Sequence, residues 1–173
     1  GTFYAEMAAL DNNLVDRNIS LSDGDDNNTI RFRYTTVSNQ LQVTVKVGTS
    51  QAAFTTTSYD ITNFLKIGLR FKENYFACFV NGSQVGVTDT NGSTFPANTL
   101  DKIKSTRGDS ALDFAGKIKC IAVFKEGLTD SELECLTSIS TNQILGEYKI
   151  YVERSDGVYE NGSTMQSTLN ELT

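Results

Sequence analysis

The chain has 173 residues, 39% of them hydrophobic and 21% charged, with 15 Lys and Arg set against 21 Asp and Glu for a net charge of -6. That length admits one large domain with an appendage and a core burying roughly two-thirds of the unfolded surface, while the acidic balance repels phosphate backbones and argues against nucleic acid as a partner. No apolar run approaches the roughly 20 residues that cross a bilayer, so no membrane insertion is expected, and a sequence without His builds neither Ser-His or Cys-His catalysis nor a His-ligated zinc site.

The opening GTFYAEMAAL has no basic start, no cleavage-type region and no initiator Met, and is read as the start of a fragment of a longer protein. Thr2 to Leu10 sets Phe3, Ala5, Met7 and Ala9 against Tyr4, Glu6, Ala8 and Leu10; the near-apolar second face predicts an interior strand. The polar run DNNLVDRN reads as a loop. Ile19 to Ser22 and Asn28 to Thr35 then flank DGDDN as a hairpin with a polar tip, the second strand alternating Ile30, Phe32 and Tyr34 with Arg31 and Arg33. Gln40 to Val47 repeats the pattern, with Leu41, Val43, Val45 and Val47 inward and Gln40, Gln42, Thr44 and Lys46 outward. Thr-rich Phe54 to Ser58 has strand propensity but little apolar content, as an edge strand does.

Leu65 to Val87 carries the clearest pattern in the chain. Ile67, Leu69 and Phe71 oppose Lys66, Arg70 and Lys72, Glu73-Asn74 turns the chain into Tyr75 to Val80, and Asn81-Gly82 turns it into Ser83 to Thr88. Asn-Gly suits the left-handed angles of a tight hairpin, which predicts a three-stranded meander needing a second layer. Asp89 to Asn98 is loop chemistry around Pro96, and Leu100 to Ser105 is a short strand. Gly116 to Lys125 is a strand expected to place Ile118, Cys120, Ala122 and Phe124 on one face, and Thr129-Asp130-Ser131-Glu132 is a capping box that starts a helical turn. Cys78 and Cys120 are read as small core hydrophobes; the three cysteines, with Cys135, have no metal-type spacing. After residue 137 the register changes. Glu147 to Arg154 alternates as a strand and Ser163 to Leu172 spaces Met165, Leu169 and Leu172 as a short helix, so 138-173 is expected to be a C-terminal extension serving as a subunit contact or opening another module. Short strands, Asn-Gly turns and no interleaved long helices predict an all-β antiparallel sandwich or barrel over 1-137.

The order of these pieces, GTFYAEM, ISLSDGDDNNTIRFRY, YDITNFLKIGLRFKENYFACFVNGSQVG and FAGKIKCIAVFKEGLTDSELECLT, resembles a laminin-G-like, concanavalin-A-like lectin domain. FACFVNGSQVG resembles that family's strand, turn and following strand; VFKEGLTDSELECLT resembles its closing strand and capped helical turn. The start GTFYAE and the Ser-Asp-Gly turn are similar to versions found in bacteriophage tail-fibre and structural proteins. The resemblance implies a jelly-roll sandwich that binds a host-surface glycan on a virion or another extracellular surface, in a fibre whose subunits are usually homotrimeric. A structural spacer without ligand is the main alternative. A polysaccharide-cleaving enzyme is the third, but the paired strand-borne acids of related glucanases are absent, Glu132 and Glu134 being in the helical turn, so no catalytic residue is assigned.

Sugar recognition needs flat groups for pyranose faces and polar side chains for hydroxyls and carboxylates, and the chain has no Trp. Tyr34, Tyr59, Tyr75 and Phe95 are therefore the stacking candidates, with Arg31, Arg33, Arg70 and Arg107 as readers. No cofactor is required by this reading. Calcium, a hard cation that takes oxygen ligands, would suit Asp23, Asp25 and Asp26 at the hairpin tip, although Gly24 and the missing distal Glu depart from an EF-hand. The Asn-x-Ser/Thr matches at Asn18, Asn27, Asn81, Asn91 and Asn161 are read as turns, three of them being Asn-Gly-Ser.

Overall fold

A computed structural model describes residues 1-139 together with 158-159 and 163-164. Within Gly1–Ile139, ten strands are described: β1 (Thr2–Ala9), β2 (Arg17–Ser22), β3 (Asn28–Tyr34), β4 (Leu41–Val47), β5 (Thr49–Thr56), β6 (Leu65–Lys72), β7 (Tyr75–Val80), β8 (Ser83–Asp89), β9 (Lys102–Lys104) and β10 (Gly116–Phe124). They form two five-stranded antiparallel sheets, one ordered β10-β1-β6-β7-β8 and the other β5-β4-β3-β2-β9. This is the all-β sandwich that the sequence predicts, with the meander β6-β7-β8 intact and β1 interior between β10 and β6. Asn74, Asn81 and Gly82 take the positive φ that the two tight turns require. β5 is an edge strand, as expected, but begins directly after Gly48, whose φ of 69° makes the reversal.

The two sheets meet through their inner faces. Phe3, Met7, Ile67, Leu69, Phe76 and Cys78 from the first sheet pack with Ile19, Ile30, Phe32, Tyr34, Val43 and Val45 from the second. Phe3 and Phe32 stack across the layers with ring centroids 4.6 Å apart. Each such side chain contributes roughly 1.5–3 kcal/mol by leaving water, which is why the alternation along each strand dictates its register.

Two elements correct the sequence reading. A bulge between Glu6 and Met7 pairs Cys120 with Glu6 but Ile118 with Met7. The extra residue puts Ile118 on the opposite face from Cys120, Ala122 and Phe124, so Ile121 packs on the core and Cys120 is exposed. Arg70, expected on an outward face, is 1% exposed. The outward face is covered there by α1 (Asp130–Thr137), whose Leu133 packs with Ala77 and Phe79. Arg70 Nη1 donates to the Leu128 carbonyl at 3.0 Å and to Asp130 Oδ1 at 2.7 Å, and its guanidinium lies 3.7 Å from the centre of the Tyr75 ring. Gly68 sits under the helix, where an added Cβ would come within 3.0 Å of Thr137 and 3.1 Å of Leu133.

Ser140–Thr173 forms a second unit. Within it the structure describes Val158–Tyr159 (β11) paired antiparallel with Ser163–Thr164 (β12). The first two residues of the expected 163-172 helix are thus strand; its remainder and the expected 147-154 strand lie outside the described residues.

The capping box is present in full at the start of α1: Glu132 N–H donates to Thr129 Oγ1 at 3.3 Å, and Thr129 N–H donates to Glu132 Oε2 at 2.7 Å. Thr129→Ala is expected to cost about 1 kcal/mol. Asp130→Ala, which strips the buried Arg70 of its ion pair, is expected to cost about 1.5–3 kcal/mol. Urea unfolding midpoints at constant m check both.

Candidate functional site

Alternation in β3 sends Ile30, Phe32 and Tyr34 into the core and so directs Arg31 and Arg33 to the outer face of the second sheet. The register then lines up two rows of outward residues. One runs Lys104, Ser20, Arg31, Thr44, Ala53; the other runs Asn18, Arg33, Gln42, Thr55. No large apolar side chain interrupts either row. The segment after β9 folds over one end, where Ser20 Oγ donates to the Thr106 carbonyl at 2.8 Å and Lys104 Nζ donates to the Gly108 carbonyl at 2.7 Å. The same segment delivers Arg107. Its Gly108 lies so close to the β2-β3 hairpin tip that an added Cβ would overlap the Asp25 carbonyl oxygen.

Each of the three arginines has its own carboxylate. Arg33 Nε donates to Asp16 Oδ2 at 2.8 Å, Nη2 donates to the same oxygen, and Nη1 donates to Gln42 Oε1 at 3.0 Å. The other oxygen of Asp16 accepts from Asn18 Nδ2 at 2.7 Å. Arg31 Nη1 donates to Asp26 Oδ1 at 3.2 Å, and Lys46 Nζ reaches Asp26 Oδ2 at the same distance. Arg107 makes a two-point contact with Asp109, 2.9 Å from Nε and 2.6 Å from Nη2; that hydrogen bonding pulls the Asp109 carboxyl down to about 2. Burial lowers the Arg31 guanidinium from its usual value, Asp26 opposes that shift, and the Arg33 and Arg107 charges add to it. Three further polar atoms on these rows, Arg31 Nε, Thr44 Oγ1 and Asn18 Oδ1, are buried without a hydrogen-bond partner. A buried donor or acceptor left unmade costs about 1–3 kcal/mol; these three atoms lie beneath the surface, Asn18 being fully buried.

The structure gathers three of the sequence candidates, Arg31, Arg33 and Arg107, and disperses the rest. Tyr34 is fully buried, its hydroxyl donating to the Met7 carbonyl at 3.0 Å, and so serves the core. Tyr59 packs at the core margin and donates to the Val80 carbonyl at 3.1 Å. Tyr75 lies against Arg70 on the other sheet, and Arg70 itself anchors α1. Phe95 meets Phe71 edge to face and lines a concavity of about 460 Å³ with Pro96, Leu100 and Phe124, while a groove of about 440 Å³ follows the edges of β5 and β8. Neither is lined by Arg31, Arg33 or Arg107. The tip acids face separate partners: Asp23 accepts from Asn28 Nδ2 and the Asp25 N–H at 2.9 Å each, Asp25 accepts from the Asn27 N–H at 2.7 Å, and Asp26 holds Arg31 and Lys46. Among the described residues, no three His, Cys, Asp or Glu are grouped to hold a metal ion. Asp16, Asn18 and Ser20 were not legible as site residues. Asp16 and Asn18 sit in a run that reads as loop, and Ser20 carries no signal beyond its strand parity.

No family model matches the chain, and no curated protein matches its sequence. Among solved structures, the chain is similar to the CBM40 carbohydrate-binding module of Ruminococcus gnavus IT-sialidase. The complex with α2,3-sialyllactose gives 16% identity over 80% of this chain and 82% of that one, with a TM-score of 0.64. The complex with α2,6-sialyllactose gives the same identity and coverage, with a TM-score of 0.62. NanB sialidase from Streptococcus pneumoniae, in complex with 2-[(3-chlorobenzyl)ammonio]ethanesulfonate, is 16% identical over 91% of this chain and 26% of that one, with a TM-score of 0.60. The likeness is one of fold: a lectin-like β-sandwich.

Gly108→Ala is expected to push the 105-115 segment off the hairpin tip at a cost of about 1–3 kcal/mol, as overpacking does. The check is limited proteolysis, which should cut the variant between residues 106 and 111 while sparing the original chain.

Proposed function

We propose that the chain is a carbohydrate-binding module, without catalysis, that takes an acidic glycan on the arginine face of the second sheet. The observation that carries this reading is the grouping of Arg31, Arg33 and Arg107 on one face, close enough that the Arg33 and Arg107 charges act on Arg31, with Arg33 and Arg107 partly exposed. Guanidinium forks match carboxylates in two-point geometry, and Arg is the residue suited to this exchange because its charge is weakly hydrated. A ligand carboxylate would take Arg31, on which the charges of both other guanidiniums act. Ring hydroxyls would find the partly exposed Arg33 and Gln42 beside it, one a donor and the other able to donate or accept. The solved neighbours in complex with sialyllactose, a sugar that bears a carboxylate, support the same class of ligand.

Binding of this kind rests on charge and hydrogen bonds, with no Trp to stack against a ring. Its single-site affinity is modest for that reason. Display on a virion fibre, which the family resemblance implies, would raise it by avidity, because linked copies turn later contacts into intramolecular ones. Calcium has no part in this reading.

Titration with sialyllactose and with lactose, each in calcium and in chelator, tests the proposal. Sialyllactose is expected to bind in both buffers and lactose at least tenfold more weakly. Arg31→Ala or Arg33→Ala should each cost tenfold or more, about 1.4 kcal/mol, with the circular dichroism of the sandwich unchanged. Equal binding of the two sugars would overturn the acidic-ligand reading.

A further inference from the structure

The resident carboxylates on the arginine face are not held alike. Asp16 is saturated: one oxygen takes two donors of the Arg33 fork, the other takes Asn18 Nδ2, and its side chain is largely buried. Asp26 is held by one contact on each oxygen, both at 3.2 Å, beyond the 2.7–2.9 Å usual for charge-assisted pairs. The backbone beneath it is fixed independently, by the turns that Asp23 and Asp25 accept and by the close approach of Gly108 to Asp25. No backbone N–H donates to the Asp26 side chain among its hydrogen bonds with Arg31 and Lys46. The Asp26 carboxylate can therefore leave both cations by a rotamer change alone, which is fast and leaves the hairpin in place.

Resting on the glycan reading above, we infer that Asp26 is a displaceable counter-ion that sets the specificity of the face. In the free protein its one negative charge is shared by Arg31 and Lys46, and only a ligand that brings its own negative charge compensates for removing it. Neutral sugars are rejected because they would leave two partly buried cations unpaired. Asp16 is a positioning residue: it fixes the plane of the Arg33 guanidinium and the orientation of the Asn18 amide, and it stays in place when ligand binds.

The two aspartates then respond to the same chemical change with opposite signs. Asp26→Asn removes the competitor and the repulsion it exerts on an incoming carboxylate, and is expected to tighten sialyllactose binding about 3- to 10-fold. It should also raise binding of glucuronic acid, another carboxylate, and narrow the discrimination against lactose, which no longer has a counter-ion to displace. Asp16→Asn releases Arg33 and is expected to weaken sialyllactose at least tenfold. Calorimetric titration of both variants and the original chain reads the effect, and Tm values within a few degrees confirm that the fold is kept. Phenylglyoxal labelling followed by mass spectrometry adds a ligand-free readout: Arg31 should react faster in the Asp26→Asn variant and Arg33 should not. If the original chain binds sialyllactose but Asp26→Asn binds equally or more weakly, the counter-ion role is wrong and the glycan reading stands. If neither chain binds sialyllactose, the glycan reading fails and takes the counter-ion role with it.

Discussion

The commitment of Ile30, Phe32 and Tyr34 to the space between the sheets is the constraint on which the rest of the structure depends. A strand has a period of two, so these three burials leave Arg31 and Arg33 only the outer face. The neighbouring strands obey the same rule, and their inward Ile19, Leu21, Val43 and Val45 turn Asn18, Ser20, Gln42 and Thr44 outward in matching rows. The polar face is thus a by-product of core formation in its placement. A one-residue slip of β3 would bury both arginines and expose three large side chains, which is why hydrophobic burial protects the geometry of the site.

Placing several guanidiniums on one half-covered face carries an electrostatic cost, and the fold answers it locally. Each Arg is matched by an Asp from a different loop: Asp16 before β2, Asp26 at the hairpin tip, Asp109 in the segment after β9. The first two pairs tie their loops to β3, while the third is internal to the segment after β9, which Gly108, pressed against Asp25, joins to the hairpin tip. Exposed pairs of this type contribute little to stability singly. Their effect here is to orient donors, since a guanidinium whose plane is already fixed loses less freedom when a ligand arrives.

Local signals in the sequence transferred to the structure, and non-local ones did not. The Asn81-Gly82 turn, the strict alternation of β4 and the Thr129 capping box each depend on a few neighbouring residues, and all three are present. Whether Tyr34 stacks on a sugar or fills the core depends on which sheet lies opposite it, and a strand's own pattern does not contain that information. The same holds for Arg70, which reads as outward in β6 and becomes buried only because a helix sixty residues later lies over it. The bulge opposite Glu6 has no sequence marker either, and it alone reversed the expected facing of Ile118 relative to Cys120. The arginines were legible because charge and strand parity agree; Asp16 was hidden because its role is defined by a partner seventeen residues away.

The hairpin tip shows how one stretch reads differently once its surroundings are known. In sequence, Asp23, Asp25 and Asp26 are three acids in four residues, the composition of a cation site. In the fold, Asp23 and Asp25 point at backbone and Asn donors and shape the turn, while Asp26 faces two cations supplied by adjacent strands. Two of the acids are thus turn formers and the third belongs to the arginine face. Asp26 and the two cations it holds are complementary halves of one electrostatic unit, built on a turn that the other two acids shape.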